Sequence, residues 1–303
     1  MLPTAVTVME VSPRDGLQNE DVLVSTEQKL QLINHALAAG SRRIEVTSFV
    51  HPERVPQMAD AEAVCAGLPQ RGDVRYTGLI LNERGYRRLR ETCLDEAGLV
   101  VPVSDTFGER NQGQRVADAV AMAREVIQDG AQTNFPVQVT LAVAFGCPFE
   151  GQVPLANVLA AAEALLEAGP VEIALADTIG VCAPWQVQQT FTALGQIAGD
   201  VPMRAHFHDT RNTGIGNAFA SLLASVTTLD ASIGGIGGCP FAPNASGNIA
   251  TEDLVYMLNR SDVGHDLAMP ALLDAAAWLE PILGKRLPSM LLKAGDWPAA
   301  LAI

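Results

Sequence analysis

The chain has 303 residues, 48% of them hydrophobic and 18% charged, a composition that is typical of a globular protein and excludes an extended disordered chain. Its formal net charge of −14 argues against a nucleic-acid surface, because phosphate binding requires a concentrated cationic field. Without a secretory leader, a membrane-length apolar run or a C-x-x-C pair among its five cysteines, the sequence predicts a protein of the reducing cytoplasm that does not associate with membranes.

Short β-branched runs alternate with longer Ala- and Leu-rich segments along the chain, which predicts repeated βα units on a parallel sheet. In chain order, the predicted strands are AVTVMEV, RRIEVTSF, VRYTGLIL, GLVVPV, VQVTLAVA, VEIALAD, MRAHFHD and TLDASIGG. The first predicted helix follows strand 1, where Ser25 and Gln28 form a capping box and Gly40 ends the helix. The regular alternation, without a Pro- or Gly-rich linker, favours an α/β fold with a closed (β/α)8 TIM barrel over a doubly wound sheet.

We expect this barrel to form a single domain over residues 1–303. The barrel itself occupies about residues 5–260, and about residues 261–303 are predicted to add one or two amphipathic helices as a C-terminal helical extension. Catalytic side chains of such barrels lie at the C-terminal ends of the strands. The polar residues at these strand ends are therefore the candidate site.

The seventh predicted strand ends in a pair of histidines. Side chains at positions i and i+2 of a strand share a face, so His206 and His208 point to one side and Phe207 to the other. Two imidazoles at the mouth of a barrel indicate a metal site, and histidines that only satisfy hydrogen bonds are the alternative. Asp209 is predicted to fix the strand-to-helix turn or to orient a ligand.

Other strand ends are predicted to carry polar residues to the same rim. These are Arg14 and Asp15 after strand 1, Glu45 and Thr47 at the end of strand 2, and Asp177 and Thr178 after strand 6. For Asp15 beside Arg14, a salt-bridged turn is the alternative. Imidazole nitrogens with carboxylate or amide oxygens, and no thiolates, are typical of a site for Mg²⁺ or Mn²⁺, with Zn²⁺ as a further candidate. A cation with an open position would act as a Lewis acid on an alkoxide or carbonyl oxygen.

A glycine-rich segment, GGIGGCPFAPNASGNIATED, spans residues 234–253. Cys239 lies at its centre, and two interpretations are open: a small apolar side chain in a glycine-rich turn, or a thiol that a mobile loop delivers to the site. Asn248 offers an amide oxygen as a metal ligand. Glu252, in the helix that follows, is predicted to hold its neighbours in place.

Six motifs resemble the 3-hydroxy-3-methylglutaryl-CoA lyase family, which belongs to the metal-dependent barrel lyases and Claisen condensing enzymes. They are VSPRDGLQNE, IEVTSFVHPERVPQMAD, GCPFEG, DTIGV, H-x-HDT and GGCPFAPNASGNIATEDLVYML, distributed from about residue 6 to about residue 260. The long glycine-rich motif is highly specific.

The resemblance implies a role for each matching residue. The implied metal ligands are Asp15, His206, His208 and Asn248. Arg14 would stabilise the enolate of acetyl-CoA and Cys239 would transfer a proton, so the implied catalytic residues are Arg14, Asp15, His206 and Cys239. The implied substrate-lining and supporting residues are Gln18, Glu45, Thr47, Asp177, Arg211 and Glu252.

The implied reaction is a retro-Claisen cleavage of an acyl-CoA, most simply of 3-hydroxy-3-methylglutaryl-CoA to acetyl-CoA and acetoacetate, as in leucine catabolism and ketone-body formation. A homodimer is expected by family analogy. Three departures from the family pattern lie near the acyl group or the CoA: Arg211-Asn212-Thr213 after HDT, Asp21 after QNE, and VPVSDTFGERN after strand 4. Arg211 is predicted either to bind a carboxylate bidentately or to pair with an acidic surface neighbour.

These departures leave alternatives for the substrate and the reaction. A longer-chain 3-hydroxyglutaryl-CoA or citramalyl-CoA would undergo the same chemistry. A Claisen condensing synthase would run it in the direction of bond formation, although the glycine-rich motif is typical of the lyases. A barrel that binds CoA thioesters without turnover is a non-catalytic alternative, which the presence of every ligand and of Arg14 disfavours.

Overall fold

The computed structural model describes residues 2–238 and 247–297, and within them eight parallel strands close into a barrel in sequence order, with β1 paired to both β2 and β8. The strands are β1 (Thr7–Glu10), β2 (Arg43–Ser48), β3 (Arg75–Ile80), β4 (Glu96–Pro102), β5 (Val137–Ala142), β6 (Ile173–Asp177), β7 (Met203–Phe207) and β8 (Thr228–Ala231). Each overlaps a segment that the sequence predicts to be a strand, although β4 begins two residues before its predicted segment, so the prediction of a (β/α)8 TIM barrel is confirmed.

Helices follow the strands and cover the outside of the barrel. They are α1 (Thr26–Ala38), α2 (Ala61–Ala66), α3 (Glu83–Arg90), α4 (Asp105–Gln112), α5 (Val116–Gln132), α6 (Leu155–Leu166), α7 (Pro184–Ala198), α8 (Gly214–Leu223), α9 (Thr251–Arg260), α10 (Met269–Leu283) and α11 (Met290–Ala294). The main apolar core lies between strands and helices, where Phe191 of α7 and Phe207 of β7 are almost completely buried. Burying one such side chain contributes roughly 1.5–3 kcal/mol.

Local sequence signals set the ends of α1 as predicted. The side chain of Ser25 accepts a hydrogen bond from the backbone N–H of Gln28, and the side chain of Gln28 accepts one from the backbone N–H of Ser25. Gly40 follows the helix with φ of +103°, and a Cβ there would lie 2.1 Å from the backbone oxygen of Asp266. Only glycine fits this position, because both the backbone angle and the space exclude a side chain.

The C-terminal extension consists of α10 and α11, in agreement with the prediction of one or two helices. Trp278 of α10 lies against His35 of α1, with 4.7 Å between their ring centroids, so the extension packs on the barrel's first helix. Within the described part of the chain, no helix combines the length and apolar character that crossing a bilayer requires.

The inside of the barrel is ionic rather than apolar, which the sequence analysis did not predict. Glu172, the residue directly before β6, accepts from Nη1 of Arg43 at 2.7 Å and from Nε of Arg204 at 2.9 Å. Arg43 also lies 3.1 Å from Glu96, and Arg204 forms an ion pair with Asp230 of β8. Because these buried charges are paired and hydrogen-bonded, the barrel tolerates them, and they hold β7 and β8 in a fixed relation below the site.

Candidate active site

A cavity of about 150 Å³ opens at the C-terminal ends of the barrel strands. Its polar lining includes Arg14, Asp15, Gln18, Glu45, Thr178, His206 and His208, and its apolar lining includes Val50, Leu79, Leu81, Val100 and Phe107. The cavity thus combines converging polar groups with apolar side chains, which is the usual composition of a small-molecule site.

Arg14 and Asp15 reach the cavity through a short π-helical turn, Ser12–Gly16, that begins directly after β1. Both side chains are largely buried, and π-helical turns are frequent at functional sites. Gly16 makes this turn possible, since a Cβ at that position would lie 2.7 Å from Cγ1 of Ile236 and 2.8 Å from Oγ of Ser232. A salt-bridged turn was the alternative interpretation of this sequence, and nothing in the sequence indicated its π-helical form.

Asp15, His206 and His208 form a cluster in which one ligand atom from each residue lies within 4.8 Å of the others. Oδ2 of Asp15 is 3.4 Å from Nε2 of His208 and 3.7 Å from Nε2 of His206. Two imidazole nitrogens and one carboxylate oxygen are a donor set that Mn²⁺, Mg²⁺ or Zn²⁺ accepts. The three residues therefore fit a divalent cation, as the strand-end pattern predicts.

Asn248 joins this cluster through Asp15. Its Nδ2 donates hydrogen bonds to Oδ2 of Asp15 at 2.8 Å and to the backbone oxygen of Ile236 at 3.1 Å, and its backbone bridges to His208. In this structure the amide nitrogen faces the carboxylate. To serve as the predicted metal ligand, the amide would have to turn its oxygen towards the cluster.

The charges around the cluster are strongly coupled. Burial alone would raise the pKa of Asp15, but the Arg14 guanidinium and the two histidines hold that pKa well below its ordinary value. Burial alone would lower the pKa of His206, but contact with Asp230 and the charge of Asp15 outweigh it and raise that pKa. A cation would replace the histidine protons, because imidazole binds metal in its neutral form.

Arg14 is held between two carboxylates. Its Nε donates to Oε2 of Glu45 and its Nη1 donates to Oδ1 of Asp15. Burial is the main cause of the raised pKa of Glu45, which the charge of Arg14 only partly offsets. The guanidinium therefore lies beside the cluster at the cavity wall, with its orientation fixed from both sides.

Two predicted site residues, Thr47 and Asp177, face the helices and not the cavity. A β-bulge shifts the register of β2 between Glu45, which pairs with Thr77, and Thr47, which pairs with Gly78. The bulge turns the Thr47 hydroxyl to Sδ of Met58, 3.8 Å away, so Thr47 does not line the cavity.

Strand alternation keeps the Asp177 side chain out of the cavity lining. Asp177 pairs with Phe207, whose side chain is buried outside the barrel, whereas its neighbour Ala176 pairs with His206 and lines the cavity. The Asp177 carboxylate accepts from the backbone N–H of Val181 at 2.9 Å, so it shapes the β6–α7 turn and not the cavity wall.

The remaining predicted residues lie around the site. Nη1 of Arg211 donates to the backbone oxygens of Ile179 at 3.1 Å and Gly180 at 2.7 Å, so it binds the β6–α7 turn and not an acidic surface neighbour. Gln18 lines the cavity and accepts from the Ser48 hydroxyl at 3.4 Å. Cys239 lies outside the described residues.

Two acidic residues anchor the segments beside the site. The Asp209 carboxylate accepts from the N–H of Gly214 at 2.7 Å, which confirms that it fixes the strand-to-helix turn. Glu252 is fully buried and accepts from the N–H of Gly234 at 3.0 Å, and burial raises its pKa to about 8. Glu252 thus supports the start of the glycine-rich segment.

Asp230 is a site residue that the sequence analysis missed. Its Oδ2 lies 3.0 Å from Nδ1 of His206 at the cavity wall. The signal was present in the sequence, because an acid in the middle of an apolar strand, TLDASIGG, requires a buried partner. Arg204 is a second missed residue with such a signal, because this charged side chain shares the inward face of β7 with His206 and His208.

Comparisons with known proteins agree with this geometry. A family model described as HMGL-like matches residues 5–279. The hydroxymethylglutaryl-CoA lyase YngG of Bacillus subtilis is 40% identical over 95% of this chain and 96% of its own. The (R)-citramalyl-CoA lyase of Chloroflexus aurantiacus is also 40% identical, over 96% of this chain and 95% of its own.

Solved structures give the same result. The HMG-CoA lyase of Bacillus subtilis superimposes with a TM-score of 0.93 at 40% identity, covering 97% of this chain and 98% of its own. An HMG-CoA lyase of Acinetobacter baumannii in complex with coenzyme A and 3-methylmalate has a TM-score of 0.95 at 38% identity, covering 99% of this chain and 98% of its own.

Proposed function

The chain belongs to the HMGL-like family, and from this membership we propose that it catalyses the metal-dependent retro-Claisen cleavage of a 3-hydroxyacyl-CoA. The substrate that its relatives support best is 3-hydroxy-3-methylglutaryl-CoA, which yields acetyl-CoA and acetoacetate. The observation that carries the proposal is the convergence of Arg14 with the cluster of Asp15, His206 and His208 at one cavity.

The reaction breaks the bond between C2 and C3 of the acyl group. The 3-hydroxyl loses its proton, its oxygen becomes the carbonyl of the leaving ketone, and the bonding electrons pass to the thioester enolate. Protonation of the enolate at C2 completes acetyl-CoA. Asp15, His206 and His208 would hold a divalent cation, Mg²⁺ or Mn²⁺ by their donor set, which would supply a Lewis acid for the hydroxyl oxygen.

Arg14 would stabilise the negative charge of the enolate. Its guanidinium lines the cavity and is fixed by Glu45 and Asp15, so it places a positive charge near the developing oxyanion without having to reorient. The family resemblance assigns the carbon proton transfer to Cys239. The apolar side of the cavity, with Leu79, Val100 and Phe107 among its residues, limits water around the enolate.

A second candidate substrate is citramalyl-CoA, favoured by the Chloroflexus relative at the same identity as the Bacillus lyase. A longer 3-alkyl chain is a third, because the Pseudomonas aeruginosa relative, 36% identical over 97% of this chain, is named for both isohexenylglutaryl and methylglutaryl substrates. All share the proposed chemistry. A cytoplasmic homodimer with a role in leucine catabolism completes the proposal, by analogy with the family.

The deciding experiment measures acetyl-CoA and the ketone product from methylglutaryl, citramalyl and isohexenylglutaryl thioesters with Mg²⁺ or Mn²⁺. Rapid metal-dependent cleavage of the methylglutaryl substrate, lost in Arg14→Met, is the expected result. Turnover of another thioester alone would keep the mechanism and change the substrate. If the protein neither cleaves any of these thioesters nor forms one by condensation, the non-catalytic binding barrel becomes the better interpretation.

A further inference from the structure

Asp230 contacts the cluster from below, on the side opposite to Asp15. It belongs to β8, is 3% exposed, and places Oδ2 at 3.0 Å from Nδ1 of His206. The other ring nitrogen of His206, Nε2, is directed to Oδ2 of Asp15 at 3.7 Å. The two nitrogens of one imidazole thus face two carboxylates, and only Nε2 belongs to the candidate metal site.

This contact decides which nitrogen carries the proton in the neutral ring. An ionised carboxylate only accepts hydrogen bonds, so the neutral His206 ring donates from Nδ1 to Asp230. Nε2 then keeps its lone pair, directed to the cluster, as metal ligation requires. His208 differs, because its Nδ1 is buried with no hydrogen-bond partner among the described residues. The contact therefore distinguishes His206 from its neighbour.

Asp230 is itself fixed by Arg204. The guanidinium donates from Nη1 to Oδ2 of Asp230, from Nε to Glu172 at 2.9 Å, and from Nη2 to Oγ1 of Thr140 at 2.8 Å. Three partners, one on β8, one on β5 and one directly before β6, prevent the Arg204 side chain from turning. Because Arg204 and His206 lie two residues apart on β7, the same ion pair fixes both the carboxylate and the ring it contacts.

From this arrangement we propose that Asp230 is a positioning residue, which holds His206 as the Nδ1–H tautomer with Nε2 presented to the divalent cation. The proposal rests on the metal-dependent function proposed above. It assigns to Asp230 a part of the metal affinity, since loss of such a partner behind a histidine ligand typically weakens metal binding by about 10- to 100-fold.

The test compares Asp230→Asn with Glu172→Gln in direct titrations of Mn²⁺ into the full chain. Both substitutions remove one carboxylate charge from Arg204, but only Asp230 contacts His206. We expect Asp230→Asn to bind Mn²⁺ about 10-fold more weakly or worse, and Glu172→Gln to stay near the wild-type affinity. Equal affinity of Asp230→Asn and wild type, or an equal loss in both variants, would overturn the proposal.

Two further readouts separate positioning from a structural defect. Excess Mn²⁺ should restore most of the cleavage rate of Asp230→Asn, which it would not do for a misfolded chain. In wild-type protein with Mg²⁺, ¹⁵N NMR of the imidazoles should show a protonated Nδ1 in His206, a measurement that needs no variant to fold. A protonated Nε2 would refute the proposal. If the Mn²⁺ results hold but wild type cleaves no thioester, the proposed function fails and the role of Asp230 stands.

Discussion

Asn248 and Asp15 are separated by 233 positions in the chain, yet Nδ2 of Asn248 donates a hydrogen bond of 2.8 Å to Oδ2 of Asp15. The same carboxylate oxygen is the one closest to both histidines of the cluster. The end of the first strand and the glycine-rich segment therefore meet on one atom. Any cation bound there is surrounded by residues from distant parts of the chain that meet at one end of the barrel.

Replacing Arg14 should impair the chemical step without impairing metal binding. In Arg14→Met the thioester enolate loses its fixed positive charge, and we expect kcat to fall by about 10²- to 10³-fold, as for the loss of one oxyanion donor. Mn²⁺ affinity should not decrease, because Arg14 is a cation beside the cluster. Steady-state kinetics and Mn²⁺ titration measure the two effects.

A matched arginine on the outside of the barrel provides the control for Arg14. Arg124 of α5 forms an ion pair with the exposed carboxylate of Glu167 at 2.9 Å, and such pairs contribute little. Arg124→Met should keep the wild-type kcat. A fall in kcat equal to that of Arg14→Met would contradict an electrostatic role for Arg14.

Removing one histidine of the cluster should reduce metal affinity directly. In His208→Ala the site loses a nitrogen ligand, and we expect Mn²⁺ to bind at least about 100-fold more weakly. This loss exceeds the roughly 10- to 100-fold loss of metal affinity that is typical when a residue supporting a ligand is removed. A chelator should abolish thioester cleavage by the wild type, and added Mn²⁺ should restore it. The matched control is His35→Ala, because the His35 ring of the wild type packs on Trp278, far from the cluster. Retained Mn²⁺ affinity in His208→Ala would show that the cation binds elsewhere.

The buried carboxyl of Glu252 should make stability depend on pH. Burial raises its pKa from 4.5 to about 8, so between these values the folded chain keeps a proton that the unfolded chain has released. The free energy of unfolding should therefore fall as pH rises from about 4.5 to about 8, by at most about 1.4 kcal/mol per pH unit from this group. Glu252→Gln cannot ionise and should lose this slope.

Urea denaturation at several pH values within that window tests the effect of Glu252. The control is Glu83→Gln, because the Glu83 side chain on α3 is 61% exposed and its substitution should leave the wild-type slope. Identical slopes in wild type and Glu252→Gln would refute the assignment of the pH dependence to Glu252.

Gly180 should tolerate a side chain less well than Gly151, which has a similar backbone conformation. A Cβ at Gly180 would lie 2.9 Å from the backbone oxygen of His208, with φ of +60°. At Gly151, where φ is +79°, a Cβ would meet no described atom within 4 Å. Gly151→Ala should cost about 1–2 kcal/mol for the left-handed backbone, and Gly180→Ala about 1–3 kcal/mol more for the crowding.

Two measurements check the glycine prediction. Denaturation gives the difference in free energy of unfolding between the two variants, and Mn²⁺ titration shows whether displacement of the His208 backbone reaches the cluster. We expect weaker Mn²⁺ binding in Gly180→Ala alone. Equal destabilisation of both variants would mean that the β6–α7 turn yields to a methyl group without moving His208.

Much of this protein follows from local sequence patterns. The period of two in a strand places His206 and His208 on one face, the Ser25–Gln28 pair begins α1, and the alternation of strands and helices gives the barrel. Each of these features depends on residues that are neighbours in the chain. Strand-end position alone then predicts that Asp15 meets the two histidines, because parallel strands end on one rim.

The tertiary structure decided what depends on register between strands. The bulge in β2 turns Thr47 away from the cavity although Glu45 faces it, and pairing with Phe207 places Asp177 outside the barrel. The contact of Asp230 with His206 requires the exact stagger of β7 against β8, which no single strand encodes. The sequence by itself thus determined which chemistry is present and at which rim it lies, whereas side-chain direction across neighbouring strands, set by hydrogen-bond register between distant segments, decided which polar groups act together.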